Sequence, residues 1–593
     1  MTAARRALRV DESLDLTEPP ERIPALGSLA TGLALAGRAG STPFLVEGAR
    51  AAAAGPQDGP LGRVVIDGTT VASDLTTEGA PVNLVLAPGM ARRELVGPAG
   101  TSIEITLVAP TLPLVAVQWA SAARPAARTL SLTVLPQASE VRYRLGRGSV
   151  SFAQDAPERG VVVGVTPPPC EWTVSEAASG GARLTARLAE TQVVTLLVCA
   201  GSAEAVRGAL GASAHLTAHA RRAAEGVTEG LVLSTGSSEV DDSVAWLKAR
   251  LRAALLRATE REMHDPGRLE DTFWGGLGAV AASDAAGAAR ALELLESGPD
   301  EARAALLAAR IALTFGDQAA AARHASTLLE ARDGRRGEDA AAMRSLALDN
   351  LADALHHAAP ESSILELRSA AAGTARRARR LPVVGSGPPT TFASWLGRAL
   401  RGDATERGRE RSGHGPTDAA LAAWAAFRGE PDVAWTAWAI RAARGLSGSD
   451  GPGLWEPATR ALRAPARTAG ALLAALAHGF LRLVPDAPVG RARMGPCVVG
   501  SLTRFRADGI AVGDARLRLD YERDGTRHRF TLSATAARVP PLLVFDPVVH
   551  GRVASARVDS EAADLDSVSE GSSTRVPVQL SVDMSRTLEL FVE

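Results

Sequence analysis

The feature that most constrains this chain is a change in the spacing of its apolar residues, from period two to helical and back again. From residue 62 to about residue 200 the period is two. Arg63-Val-Val-Ile-Asp67, Val82-Asn-Leu-Val-Leu86, Ser102-Ile-Glu-Ile-Thr-Leu-Val108, Leu114-Val-Ala-Val-Gln-Trp119 and Leu130-Ser-Leu-Thr-Val-Leu135 alternate or run apolar, with Gly, Pro, Asn and Asp between them. Evenly spaced short strands of this kind predict an antiparallel β-sandwich. Segments 141–145, 160–165 and 193–199 continue it, and 203–225 reads as a helical linker.

At Ser238 the period becomes helical. Ser238-Glu-Val-Asp241 reads as a capping box, and Val244, Leu247, Leu251 and Leu255 follow on one face. Helices are predicted at 241–261, 276–296, 300–315, 318–331, 338–357, 362–380, 390–400, 417–426, 432–446, 455–462 and 467–483. Short breaks join them as antiparallel hairpins. Such a block fits an α-solenoid or a closed ring of hairpins, and the lack of a fixed-length repeat weighs against the solenoid. Beyond residue 486 the period is two again (497–502, 509–512, 517–521, 528–533, 542–545, 576–582, 588–592), with Arg523-Asp-Gly525 as a hairpin turn.

The expected organisation is therefore a weakly defined segment 1–60, a β-sandwich with its linker over 61–225, a helical block over 226–485 and a smaller sandwich over 486–593. A chain of 593 residues suits several domains, and an apolar content of 46% supports their cores. The formal net charge of −1 argues against a nucleic-acid or membrane-surface partner, which needs a concentrated basic field. Cys170, Cys199 and Cys497 have no metal-ligand spacing. Buried free thiols are expected, with a Cys170–Cys199 bridge as the alternative. The N-terminus has no signal-like apolar core, so a cytoplasmic location is expected.

His215 and His219 lie one helical turn apart without a Glu between them, so no metal is expected. Gly-x-Ser-x-Gly, phosphate-loop and dinucleotide fingerprints are missing, and Lys248 is the only lysine, so no cofactor is expected.

Two stretches carry a family resemblance. Glu270-Asp271-Thr-Phe-Trp274, with Gly276-Leu277 and Ala289-Arg290-Ala-Leu292 after it, resembles the Arg-Asp-Thr-Phe segment of six-hairpin glycosidases, notably bacterial glycogen-debranching-type proteins. Leu483-Val-Pro-Asp-Ala-Pro-Val-Gly-Arg491, followed by Val512-Gly-Asp514, is similar to the exit from their last barrel helix. The resemblance implies a multidomain α+β protein: an N-terminal antiparallel β-sandwich, a central (α/α)6 toroid and a small C-terminal β-sandwich. It also implies an α-glucoside or α-glucan ligand and inverting hydrolysis, which uses two carboxyl groups about 6.5–9.5 Å apart.

By that resemblance Asp271, beside Glu270, contacts sugar; as a residue, Asp271 equally reads as a helix N-cap. Asp349, in Ala347-Leu-Asp-Asn-Leu351, falls where the family has Asp-Ala-x-Leu-Trp, and otherwise reads as a solvated helix residue. Glu456, in Gly453-Leu-Trp-Glu-Pro457, lies near the family's Gly-x-x-Pro-Glu and otherwise suits the first turn of a helix. Asp349 and Glu456 are the expected acid and base. Trp274 and Trp455, each beside a candidate carboxylate, are the rings expected to stack on sugar, although core packing claims tryptophan too. The family's Gln-Ala-Trp-Ser helix start reads Arg467-Thr-Ala-Gly470 here. That departure supports the alternative of an inactive carbohydrate-binding or scaffold protein on the same fold. Segment 402–417 reads as a surface loop or a lid. Oligomeric state is not encoded in any of these features.

Overall fold

The computed structural model describes residues 8–330, 338–378, 396, 427, 430–447 and 466–593, apart from positions 15, 27–34, 37–43, 57–60, 77–78, 88, 98–99, 122–124, 157, 179, 536–537, 539, 564–565 and 571. Trp455, Glu456, loop 402–417 and the predicted helices at 417–426 and 455–462 lie outside the described residues, as does the one at 390–400 apart from the buried Leu396. The protein is mixed α+β, and the chain divides into two units, Met1–Val227 with Ser447–Ala464 and Thr228–Leu446 with Pro465–Glu593.

The first unit is built on two sheets. A ten-stranded sheet runs in the order Leu8–Val10, Val141–Leu145, Ser149–Ala153, Arg159–Thr166, Val193–Ser202, Leu114–Ser121, Gly100–Val108, Met90–Gly97, Ala80–Ala87, Leu35–Ala36. A seven-stranded sheet runs Glu171–Glu176, Ala182–Thr191, Ala126–Val134, Thr69–Thr76, Leu61–Ile66, Ala51–Gly55, Phe44–Glu47. All pairing is antiparallel except Leu8–Val10 against Val141–Leu145.

Alternation decides which face goes where. Val115, Val117 and Trp119 enter the core between the sheets, against Leu130, Leu132 and Leu184. Leu114, Ala116, Leu197 and Cys199 face the other way, against Leu210 and Leu216 of α1 (Ala203–Ala212) and α2 (Leu216–Thr228). The central strands are thus buried on both faces, which is why they read as unbroken apolar runs. Four short strands come from residues before 61; Ala51–Gly55, all alanine and glycine, carries no β-branched signal in the sequence.

Helices of the second unit follow in hairpins: α3 (Ser238–Arg257), α4 (Pro266–Ala281), α5 (Ala285–Glu296), α6 (Glu301–Phe315), α7 (Ala319–Glu330), α8 (Glu338–Leu355), α9 (Glu361–Ala378), α10 (Pro431–Ser447) and α11 (Ala466–Ala474). Most fall within two residues of the periodicity.

Four local readings need correction. The helix predicted at 276–296 is two helices. Asp265, one residue before Pro266, caps α4 by accepting the Gly267 N–H at 2.9 Å, ten residues earlier than the apolar period suggests. The chain then breaks at Ser283, in the left-handed region at φ 59°, and Asp284 caps α5 through Gly287 N–H. Asp271 is therefore in the second turn of α4 and is not an N-cap. The capping box at Ser238 does not form; Asp241 instead accepts from the Thr235 N–H (2.7 Å) and hydroxyl (2.8 Å). The last predicted helix, 467–483, leaves α geometry at Ala475 and widens to π turns through Phe480.

The strand expected at 497–502 reduces to a single bridge between Cys497 and Val548. All three cysteines are free, with Cys170 exposed and not buried, and burial pushes the Cys199 thiol up.

Helices and C-terminal strands share one core. Leu277, Leu307 and Leu348 belong to the same apolar cluster as Leu519, Phe530 and Leu588. Val232–Ser234, which precedes α3, pairs with Arg504–Val512 and so opens the seven-stranded C-terminal sheet. Gly513, in the Val-Gly-Asp motif, donates its N–H to the Thr314 carbonyl at the end of α6 (2.8 Å). Its φ of +63° favours glycine. This family-like stretch is a joint between sheet and helix.

Candidate functional site at the Arg467 ion pair

The site begins with two helices that approach very closely. A Cβ added at Gly470 of α11 would collide with the Trp274 carbonyl of α4, and one at Gly278 would strike the Gly470 backbone. Glycine at both positions lets the backbones touch, and the same register sets Arg467 beside the second turn of α4. Its Nη2 lies 2.8 Å from Glu270 Oε2 and its Nε 3.2 Å from Asp271 Oδ1. All three side chains are roughly one-quarter to two-fifths exposed.

Arg467 Nε is buried and makes no aligned hydrogen bond, so charge more than direction holds Asp271. Burial raises the Asp271 carboxyl above the usual carboxylate range; Arg467 and Arg268 oppose that shift, while Glu270 and Asp265 reinforce it.

Beneath the triad the packing is apolar and fixed. Phe273 and Trp274 are fully buried, edge to face at 6.1 Å. The Arg303 guanidinium of α6 sits 5.8 Å from the Phe273 ring centre and pairs with Asp300. Trp274, expected to offer its ring to sugar, is 1% exposed and supports the site from below.

Asp349 is elsewhere. It lies on α8, about one-third exposed, 3.7 Å from Arg368 of α9, which also pairs with Asp353 at 2.9 Å. Phe273 is level with Arg303 and Gly276 with Leu307, so α4 and α6 run side by side in one direction, and Gln318, just past α6, donates to the Ala354 carbonyl near the end of α8. Among the described residues no group of three or more His, Cys, Asp or Glu is placed to hold a metal ion, and no helix is long and apolar enough to cross a membrane.

Arg467 is the residue that the sequence did not assign. A signal for it exists in two departures from the motif: Glu270 stands where the family has Arg, and Arg467 where it has Gln. The cation lost beside Asp271 in sequence is returned to it in space.

No protein-family model matches the chain, and no curated protein matches it significantly. Solved structures do. A protein assigned as a kojibiose phosphorylase, from the human microbiome, aligns over 90% of this chain and 96% of its own, at 8% identity and a TM-score of 0.50. A bacterial glucoamylase, solved in complex with acarbose, aligns over 80% of this chain and 98% of its own, at 10% identity and a TM-score of 0.47. The chain thus resembles the six-hairpin glycosidases in fold, as its two motifs imply. At these identities the likeness is one of fold alone.

Proposed function

We propose that this protein binds an α-glucoside or short α-glucan on a closed (α/α)6 toroid without hydrolysing it. The ligand lies at Glu270, Asp271 and Arg467. The observation that carries this reading is the position of Arg467 across both carboxylates. A carboxylate whose charge is shared with a guanidinium is a weaker general base. The same groups suit hydroxyl recognition: the carboxylates accept and the guanidinium donates, on a rigid base of Phe273 and Trp274.

A second reading, inverting hydrolysis with Asp349 and Glu456 as acid and base and Trp455 stacking on sugar, is favoured by one observation. Burial holds the Asp271 carboxyl above its usual range in spite of Arg467 and Arg268, so this carboxylate is not simply the neutralised partner of a guanidinium.

Calorimetry and a glucose-release assay with maltose, isomaltose, trehalose and malto-oligosaccharides test both. Binding without released glucose, weakened in Arg467→Gln, is the expected result. Turnover that disappears in Glu456→Gln would establish the second reading instead. If no saccharide binds and none is cleaved, both fail.

A further inference from the structure

A small polar pocket lies in the first unit, at one end of the two sheets, and the site reading above does not use it. Its volume is about 220 Å³. Its floor is apolar, with Ile66, Val71 and Ala200 from the core between the sheets. Its rim is polar: Asp67, Thr69, Gln137, Gln154 and Arg159.

The rim is held by hydrogen bonds that leave most of its side-chain heads unused. Asp67 receives both Arg50 Nε (2.9 Å) and Nη2 (2.7 Å), and its N–H donates to the Arg50 carbonyl (2.7 Å). Asp155 accepts from the Ser139 N–H and hydroxyl (2.9–3.1 Å), which ties the turn bearing Gln137 to the turn bearing Gln154. Gln154 N–H donates to the Arg159 carbonyl (3.0 Å), and Arg159 N–H returns to Ala156 (3.3 Å).

Gln137 itself is in the left-handed region, φ 56°, a conformation uncommon for its residue type. Only its amide nitrogen is engaged, on the Thr70 carbonyl at 3.4 Å. Among the described residues the Gln154 carboxamide and the Thr69 hydroxyl make no hydrogen bond, and Arg159 has a distant ion pair, 3.9 Å from Asp67.

From this geometry we propose that the pocket is a binding site for a small neutral polyol, of the size of a single sugar ring. Size sets one limit: about 220 Å³ is below the roughly 300–1,000 Å³ of pockets for drug-sized ligands. Charge sets another. Asp67 and Arg159 are the charged residues of the lining, one of each sign, so the pocket itself offers no net charge to a cation or an anion. The remaining chemistry is two carboxamides, a hydroxyl and a guanidinium around an apolar floor. Carboxamides donate and accept together, as vicinal hydroxyls require, and the floor takes the C–H face of a ring. The turns are set before a ligand arrives, which lowers the ordering cost.

The proposal is independent of the Arg467 site and its test separates the two. Titration calorimetry of the full chain with D-glucose, maltose and glycerol is run on the wild type, Gln154→Ala, Arg159→Met and Arg467→Gln, each checked for an unchanged melting temperature. The rim substitutions are on exposed turns, so folding is expected to survive. Expected is glucose binding in the millimolar range that falls about tenfold in Gln154→Ala and in Arg159→Met but persists in Arg467→Gln. Glucose binding that is lost in Arg467→Gln and kept in both rim variants overturns the pocket proposal and leaves the Arg467 reading standing. Failure of all three probes to bind the wild type overturns the pocket proposal. Sodium acetate serves as the anionic control; acetate binding that the rim variants abolish, without sugar binding, overturns the neutral-polyol assignment.

Discussion

Two ion pairs, one from each unit, hold their charges in opposite ways. In the first, Arg93 and Glu104 are each about 2% exposed, and every contact is directed: Arg93 Nε to Glu104 Oε1 at 2.7 Å, Trp119 Nε1 to Glu104 Oε2 at 2.9 Å, and Arg93 stacked 5.2 Å from the Phe44 ring centre. In the second, Arg467 meets two carboxylates near solvent, and one of its contacts is not an aligned hydrogen bond. A buried, fully satisfied pair fixes strand neighbours and has nothing left for a ligand. A half-exposed, incompletely directed pair stabilises little and keeps bonding capacity. Position and satisfaction, more than charge, separate a structural network from a candidate site.

The largest expected effect comes from breaking the buried network. Glu104→Ala leaves Arg93 uncompensated and should cost about 3–5 kcal/mol in chemical denaturation. The double variant Arg93→Met with Glu104→Leu should recover much of that loss; an equal loss in both would mean that packing, not charge, is at stake. Next is Gly470→Ala, which forces α4 and α11 apart and should cost about 1–3 kcal/mol while disturbing the Arg467 geometry. Arg467→Gln should change stability by less than about 1 kcal/mol yet weaken sugar binding in calorimetry. A large stability loss there would erase the contrast between the two pairs.

The smallest effect concerns pH. Burial raises the folded-state pKa of Asp271, so the folded protein holds that proton more tightly than the unfolded chain does. The favourable contribution is therefore complete below the unfolded value, near 4, and falls as pH rises through the folded value. Asp271→Asn removes that fall, so its stability relative to wild type should increase over this window and then level off. Glu589, held low by Arg527 and Arg529, has the opposite slope but is common to both proteins and cancels. A difference that is flat with pH would mean that the arginines balance burial, and one that falls would mean that they outweigh it.

Much of the candidate site was visible as residue types and little of it as geometry. Glu270 and Asp271 were marked by the motif, but not that α4 starts at Pro266 and carries them in its second turn. Asp265-Pro266 is a good local start signal, yet the small residues after it mask the helical period. Trp274 was marked for its chemistry, and packing placed it in the core. Asp349 was marked by position in a motif, and the rotation of α8 turned it toward α9.

By itself the sequence determined what depends on neighbours along the chain: strand and helix periods, the α6 and α8 spans, and the Asp524-Gly525 turn that joins Ala515–Asp524 to Arg527–Thr535. Those follow from side-chain alternation, helical pitch and backbone preference, which act over a few residues. Only the tertiary structure decided that Arg467 meets Glu270 and Asp271, that Val232–Ser234 begins the C-terminal sheet and that helices and sheet share one core. Partner choice between distant segments is set by which surfaces fit and bury together, and no local pattern carries that information.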